Sequence, residues 1–209
     1  MDLNIDKITE ISRKKKGKRK LANLEACKLE LKNELNDLFK IFEQSVEMTN
    51  TELRKHPVVS RCRGFEASLL QTNFAELLFF NFPGNAFFGR NKRLTLRIKG
   101  YVFFFKKLNN KGLPMNVMTQ SVNRINNQII DVNLFFDTDY NEAPILYFGY
   151  QKNKIGQYVN PQIVYIDEDK ISFSIEASTI GYLPNLFSEP NGIEKGEVKV
   201  KIKKGRIAK

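Results

Sequence analysis

Two apolar periods follow one another along this chain. From Leu21, the residues Leu24, Cys27, Leu31, Leu35, Leu38 and Phe42 recur at spacings of three and four, with Glu, Lys and Asn between them. That spacing gathers them on one stripe and predicts an amphipathic helix within residues 21–55. Helical signals weaken at Asn50, and His56-Pro57 ends the run, because the residue before a proline is pushed out of the helical region. A second helix is predicted over 64–80, with Phe65, Leu69, Thr72, Leu77 and Phe80 near one face. Phe82-Pro83-Gly84-Asn85 stops it with strong turn chemistry.

Beyond that turn the period drops to two. Residues 93–105 alternate as one strand, and Asn109-Asn110-Lys111-Gly112 then reads as a turn. Residues 117–130 are polar and Asn-rich and read as a short helix or loop. Residues 144–150, 158–167 and 170–176 predict an antiparallel meander joined by short polar connections. Residues 181–196 read as loop, and 197–204 alternate Val198, Val200 and Ile202 with lysines, as an edge strand does. Helices first and strands afterwards point to an α+β fold: N-terminal amphipathic helices followed by a mainly antiparallel sheet. The expected divisions are a basic arm at 1–20, the helix at 21–55, a core at 56–194 and a basic tail at 195–209.

Composition narrows the class. At 209 residues and 42% hydrophobic, the chain can bury one sizeable core. No apolar run approaches the ~18–20 residues that span a bilayer, so no membrane partner is expected. Asp2 and Asp6, with no apolar stretch after the basic run, argue against a secretory signal. Two cysteines, Cys27 and Cys62, are too few to staple such a chain, which favours a reducing cytoplasm. Lys outnumbers Arg 24 to 10 and Asn occurs 21 times, a usage typical of AT-rich genomes of bacterial or phage type.

Charge changes the picture further. Residues 1–20 carry eight Lys/Arg against three acids, and 195–209 carry seven against one, so the ends hold the whole net +11. Between them, 21–53 has three cations against seven acids, 54–124 has 13 against two, and 125–194 has three against ten. Sorting of this kind points to an anionic partner.

Four constellations could carry chemistry. In the strand beginning at Arg93, the residues Arg93, Thr95, Arg97, Lys99 and Tyr101 share one face opposite Leu94, Leu96 and Ile98, with Arg90 and Lys92 just upstream. Cations ending in an aromatic suit phosphates and a stacked base, although a solvated strand face has the same pattern. The two basic ends form a second candidate, since lysines meet phosphate as point charges without reading sequence. Third, Arg61 and Arg63 flank Cys62 just before Gly64 and a helix start, where an anion is favoured. Glu66 beside them is a candidate base for phosphodiester cleavage, its simpler use being an ion pair with an arginine. Fourth, Asp167, Glu168, Asp169 and Lys170, with Asp131, Asp137 and Asp139 earlier, contain the groups of a metal-dependent nuclease, but 167–170 reads better as a hairpin tip.

Other classes drop out. His56 is the single histidine, which removes His-cluster metal sites and His-dependent hydrolysis. Neither G-x-x-x-x-G-K-[ST] nor G-x-G-x-x-G occurs, so no nucleotide cofactor and no metal are expected. Asn116, Thr119, Gln120, Asn123, Asn126, Asn127 and Gln128 could bond base edges, but codon usage accounts for them as well. The expectation is a nucleic-acid-binding protein, DNA or RNA, that contacts the phosphate backbone through a basic sheet face and basic tails. Size, basicity and compositional origin make a component of a bacterial or phage defence or toxin–antitoxin system the expected setting. One alternative is a protein-interaction module or homodimer joined through Leu24, Leu31, Leu35, Leu38 and Phe42, with the acidic 125–194 block. The other is a ribonuclease or related nuclease using Arg61, Arg63 and Glu66.

Overall fold

The structure, a computed structural model, describes residues 17–130 and 140–182. The helical part opens with α1 (Leu24–Glu30), capped by Asn23, whose side chain accepts from the N–H groups of Glu25 and Ala26. A break at Leu31 separates α1 from α2 (Lys32–Arg54), so the single helix expected over 21–55 is a kinked pair. Helix α3 (Phe65–Asn81) follows, entered through Gly64 in a left-handed conformation. Strands β1 (Ala86–Phe88), β2 (Leu94–Ile98) and β3 (Tyr101–Lys107) come next, and then the short α4 (Gln120–Asn126), capped by Thr119. The chain closes on β4 (Ile145–Lys152), β5 (Tyr158–Asp167) and β6 (Lys170–Glu176).

The six strands form one sheet in chain order. Only β3 and β4 pair in parallel, across the connection that carries α4; the other four pairings are antiparallel. The fold is therefore α+β, with the helices N-terminal to the sheet.

The strand expected over 93–105 is a hairpin. Lys99 and Gly100 both have positive φ, 46° and 78°, and Ile98 pairs directly with Tyr101. Two left-handed residues in sequence make a tight turn whose twist matches the flanking strands, and glycine takes the second position without steric cost. An apolar alternation continued through the turn hides it from the pattern alone.

Helices cover one face of the sheet. Cys27, Leu31, Leu35 and Leu38 are fully buried, and Phe42 nearly so, against Leu96, Phe103, Leu146, Phe148, Ile163 and Tyr165. Leu24 is half-buried on the same cluster. The seam read as a candidate dimer interface is thus used up within the chain. Burying each such leucine contributes roughly 1.5–3 kcal/mol, which a helix left exposed would forgo. The opposite face of the sheet, with Val102, Phe104, Ile145, Tyr147, Val164 and Ile166, is covered by Leu108, Ile125 and Ala143.

Part of the expected basic arm belongs to this second layer. Arg19 is fully buried and donates to the carbonyls of Tyr140, Asn141 and Ala143 at 3.1, 2.6 and 3.1 Å. Lys18 forms ion pairs with Asp167 and Glu168 at 3.0 and 3.3 Å, and the backbone of Arg19 and Lys20 bonds to Gln128 and Glu142. Residues 17–20 are built into the domain, and the charges of Lys18 and Arg19 serve the fold. The rest of the arm, the 195–209 tail, the strand expected at 197–204, and Asp131, Asp137 and Asp139 lie outside the described residues.

Candidate anion-binding cleft

Helix α3 starts beside the ends of β3 and β4, and a two-lobed cleft lies between them. Its first lobe depends on how the α2–α3 connection is tied down. Arg61 donates to the carbonyls of Leu53 and His56 at 2.6 and 3.0 Å, and its Nη1 lies 3.4 Å from the Glu66 carboxylate. The other oxygen of Glu66 pairs with Lys152 of β4, whose Nζ sits 5.5 Å from the centre of the Tyr158 ring. The chain Arg61–Glu66–Lys152 therefore joins the start of α3 to the sheet. A space of about 380 Å³ lies alongside it, bounded further by Cys62, Gly64, Lys107 and Tyr150.

The second lobe, about 370 Å³, reaches an apolar floor of Phe42, Leu70, Phe74, Phe105 and Phe148. Its rim carries Gln71, Asn91, Lys92, Lys106 and Lys107. Ala67, Lys107 and Tyr150 line both lobes, so the two adjoin across these residues. Asn91 and Lys92 reach the rim from the β1–β2 connection, where both adopt left-handed backbone, φ 58° and 53°. For residues with a Cβ that conformation carries strain.

The electrostatics follow from this lining. Arg61, Lys92, Lys107 and Lys152 stand against one carboxylate, Glu66, while Arg93 and Lys106 border the cleft from the strand face that holds Phe104. Among the described residues, Lys92 and Lys107 have no ion-pair partner, and both are exposed. Lys106 is held below the usual lysine range by burial and by the neighbouring Arg93 charge. Burial pushes the Tyr150 hydroxyl up, and that of Tyr158 up to about 12, with Tyr150 and Glu66 adding to the rise. Both tyrosines stay neutral donors at ordinary pH. Gly64 contributes no side-chain cap to α3, leaving the positive end of the helix dipole at the lobe that Gly64 and Glu66 line.

The structure separates the expected site residues into three places. Arg61, Glu66 and Lys92 line the cleft; Arg63 and Arg90 are exposed and each adjoins a lining residue. Arg93 borders the cleft, but its guanidinium lies 4.9 Å over Phe104 on the sheet face away from the helices. Arg97 stacks over Phe87 at 4.4 Å and Tyr140 at 5.1 Å. Lys99 and Tyr101 lie at the far end of the hairpin, about 20 Å from Lys92 at the usual rise per residue. There Lys99 pairs with Glu34 at 2.6 Å, and the buried Tyr101 donates to the Glu30 carboxylate at 2.9 Å. The row expected on one strand face stops at Arg97: Arg93, Thr95 and Arg97 lie opposite Leu94, Leu96 and Ile98, but Thr95 is buried, and the turn at Lys99-Gly100 ends the strand and sends Tyr101 to the helix face.

Lys107, Lys152, Tyr150 and Tyr158 complete the cleft without having stood out in the sequence. They sit at strand ends where alternation carries no information about what lies beyond. The Asn-rich stretch also resolves into structure: Thr119 caps α4, Asn126 accepts from the Tyr147 hydroxyl, Asn127 bonds Asn123, and Gln128 is fully buried. Glu168 and Asp169, with φ of 54° and 58°, form the hairpin turn between β5 and β6, and Asp167 pairs with Lys18. Among the described residues no group of three or more His, Cys, Asp or Glu could hold a metal ion, and no helix is long and apolar enough to cross a membrane. No protein-family model matches this chain, and no curated protein or solved structure matches it either.

Proposed function

We propose that the protein binds nucleic acid through the phosphate backbone, with the cleft between α3 and the ends of β3 and β4 as its main contact. The observation that carries this reading is that Arg61, Lys92, Lys107 and Lys152 gather along the two lobes, one of them floored by aromatics, with Glu66 as the sole carboxylate in the lining. Lys92 and Lys107 support it further, since exposed lysines that form no ion pair among the described residues remain available to a polyanion. Lysine reads phosphate as charge and carries no base-edge geometry, so the reading is of affinity with little sequence preference. The surplus of six positive charges in 195–209 adds to the same attraction. A cytoplasmic setting, in which Cys27 and Cys62 both stay free, is part of the proposal.

Filter binding of DNA and RNA over a range of salt tests it. Each phosphate contact contributes about 0.7–0.9 to the slope of log affinity against log salt. Lys92→Gln and Lys107→Gln should each weaken binding and lower that slope by about this amount. Lys99→Gln, at the opposite end of the sheet, should leave the slope where it was. Absence of binding at low salt, or a slope indifferent to Lys92 and Lys107, removes the proposal.

A further inference from the structure

Phosphate binding alone leaves half of the cleft unexplained. The rim lysines suffice for charge, yet a lobe of about 370 Å³ runs past them to an aromatic wall. Its size falls in the range of pockets that enclose small planar ligands. Phe105 and Tyr150 are its half-buried aromatics, and other rings hold both in place. Phe74 meets Phe105 edge-on at 4.9 Å, and Phe42 stacks on Tyr150 at 5.3 Å. Rings fixed in this way offer apolar area with no rotamer freedom left to lose. At the mouth, the exposed amides of Gln71 and Asn91 present both donors and acceptors, as the edge of a nucleobase does.

Resting on the reading above, we propose that this lobe receives an unstacked base and that the ligand is single-stranded nucleic acid. In a duplex the bases are paired and stacked, and extruding one carries an unpairing cost that a single strand does not bear. Every base has a π-face, so a stacking pocket of this kind tolerates sequence. The neighbouring lobe, with Arg61 and Lys152, then takes the adjoining phosphate, and Tyr150 and Lys107 stand at the junction of the two.

The test uses the full chain and fluorescence anisotropy with three labelled probes. These are an oligodeoxythymidine of about 12 nucleotides, a strand of equal length made of abasic residues, and a duplex of that length. The thymidine strand should bind about tenfold or more tighter than either of the others at equal salt. Gln71→Trp, which fills the lobe from an exposed position, should cancel that advantage. Phe105→Leu, which removes a stacking face, should do the same and serves if the first variant fails to fold. Equal affinity for all three probes, or an advantage that survives both variants, overturns the base pocket while leaving phosphate binding intact. Displacement of the strand by thymidine monophosphate at equal nucleotide concentration replaces the single strand by a mononucleotide ligand. Absence of low-salt affinity for every probe overturns the phosphate reading and the pocket with it.

Discussion

Gln128 takes the place of a strand neighbour at the point where β4 starts. Its side chain donates to the carbonyls of Ile145 and Ile166 at 3.0 and 2.8 Å, and accepts from the Ile145 N–H at 3.0 Å, in a fully buried position. An unpaired buried backbone group costs about 1–3 kcal/mol. Gln128→Leu strands three such groups, so the urea midpoint should fall by the equivalent of about 3 kcal/mol or more, with little change in the slope of the transition. A midpoint near that of the wild type would mean that water replaces the amide. Gly149 is a second position decided by a single atom, because a Cβ there would lie 2.4 Å from Leu108 Cγ. Gly149→Ala should therefore destabilise through displacement of Leu108 from the second layer, a loss visible in thermal unfolding. In sequence Gln128 is one more amide in an Asn-rich stretch; its role depends on two strands that approach it only after folding.

At the level of elements, α3 shows why periodicity both succeeds and fails. The sequence locates the helix to within a residue at each end, because Gly64 and Phe82-Pro83-Gly84 punctuate it. It misassigns the buried face. Leu69-Leu70, Leu77-Leu78 and Phe79-Phe80 are tandem apolar pairs, so almost any stripe looks hydrophobic. The structure buries Leu70, Asn73, Phe74, Ala75 and Leu78, and leaves Phe80 83% exposed. A polar contact selects that rotation: Asn73 donates to the Thr49 hydroxyl at 3.0 Å, and Thr49 donates to the Ser45 carbonyl at 2.6 Å. Asn73→Ala should cost about 1–2 kcal/mol in chemical denaturation, since it removes that interhelical bond. Phe80→Lys should stay within about 0.5 kcal/mol of the wild type, as surface changes usually do. A large loss at Phe80 together with a neutral Asn73 would show that the helix is rotated from this orientation.

The whole molecule responds to alkali in a way its tyrosines dictate. Tyr101, Tyr147, Tyr150, Tyr158, Tyr165 and Tyr182 all have hydroxyls raised above their usual range, burial being the largest cause at each. A group whose folded value lies above its unfolded value of about 10 keeps its proton longer in the native state. Its contribution is whole below about pH 10 and is lost as pH climbs through the folded value, about 12 for Tyr158 and Tyr165. Stability should therefore fall between about pH 10 and 12, and tyrosinate absorption should rise together with unfolding instead of ahead of it. Tyrosines that ionise at their ordinary value in the folded protein would contradict the packing described. The sequence by itself determined the class of fold, the order of helices before strands, and the hairpin tip at 167–170, because these follow from local period and turn chemistry. It also determined that the chain has cations to spare. Which cations converge was decided only by the tertiary structure. The turn at Lys99-Gly100 folds β2 back on β3, carries Lys99 and Tyr101 to Glu34 and Glu30, and leaves Lys92 and Lys107 at the other end beside Arg61 and Lys152. Charge is a property of residues, but a binding surface is a property of the distances between them, and those are fixed only when distant strand ends are packed together.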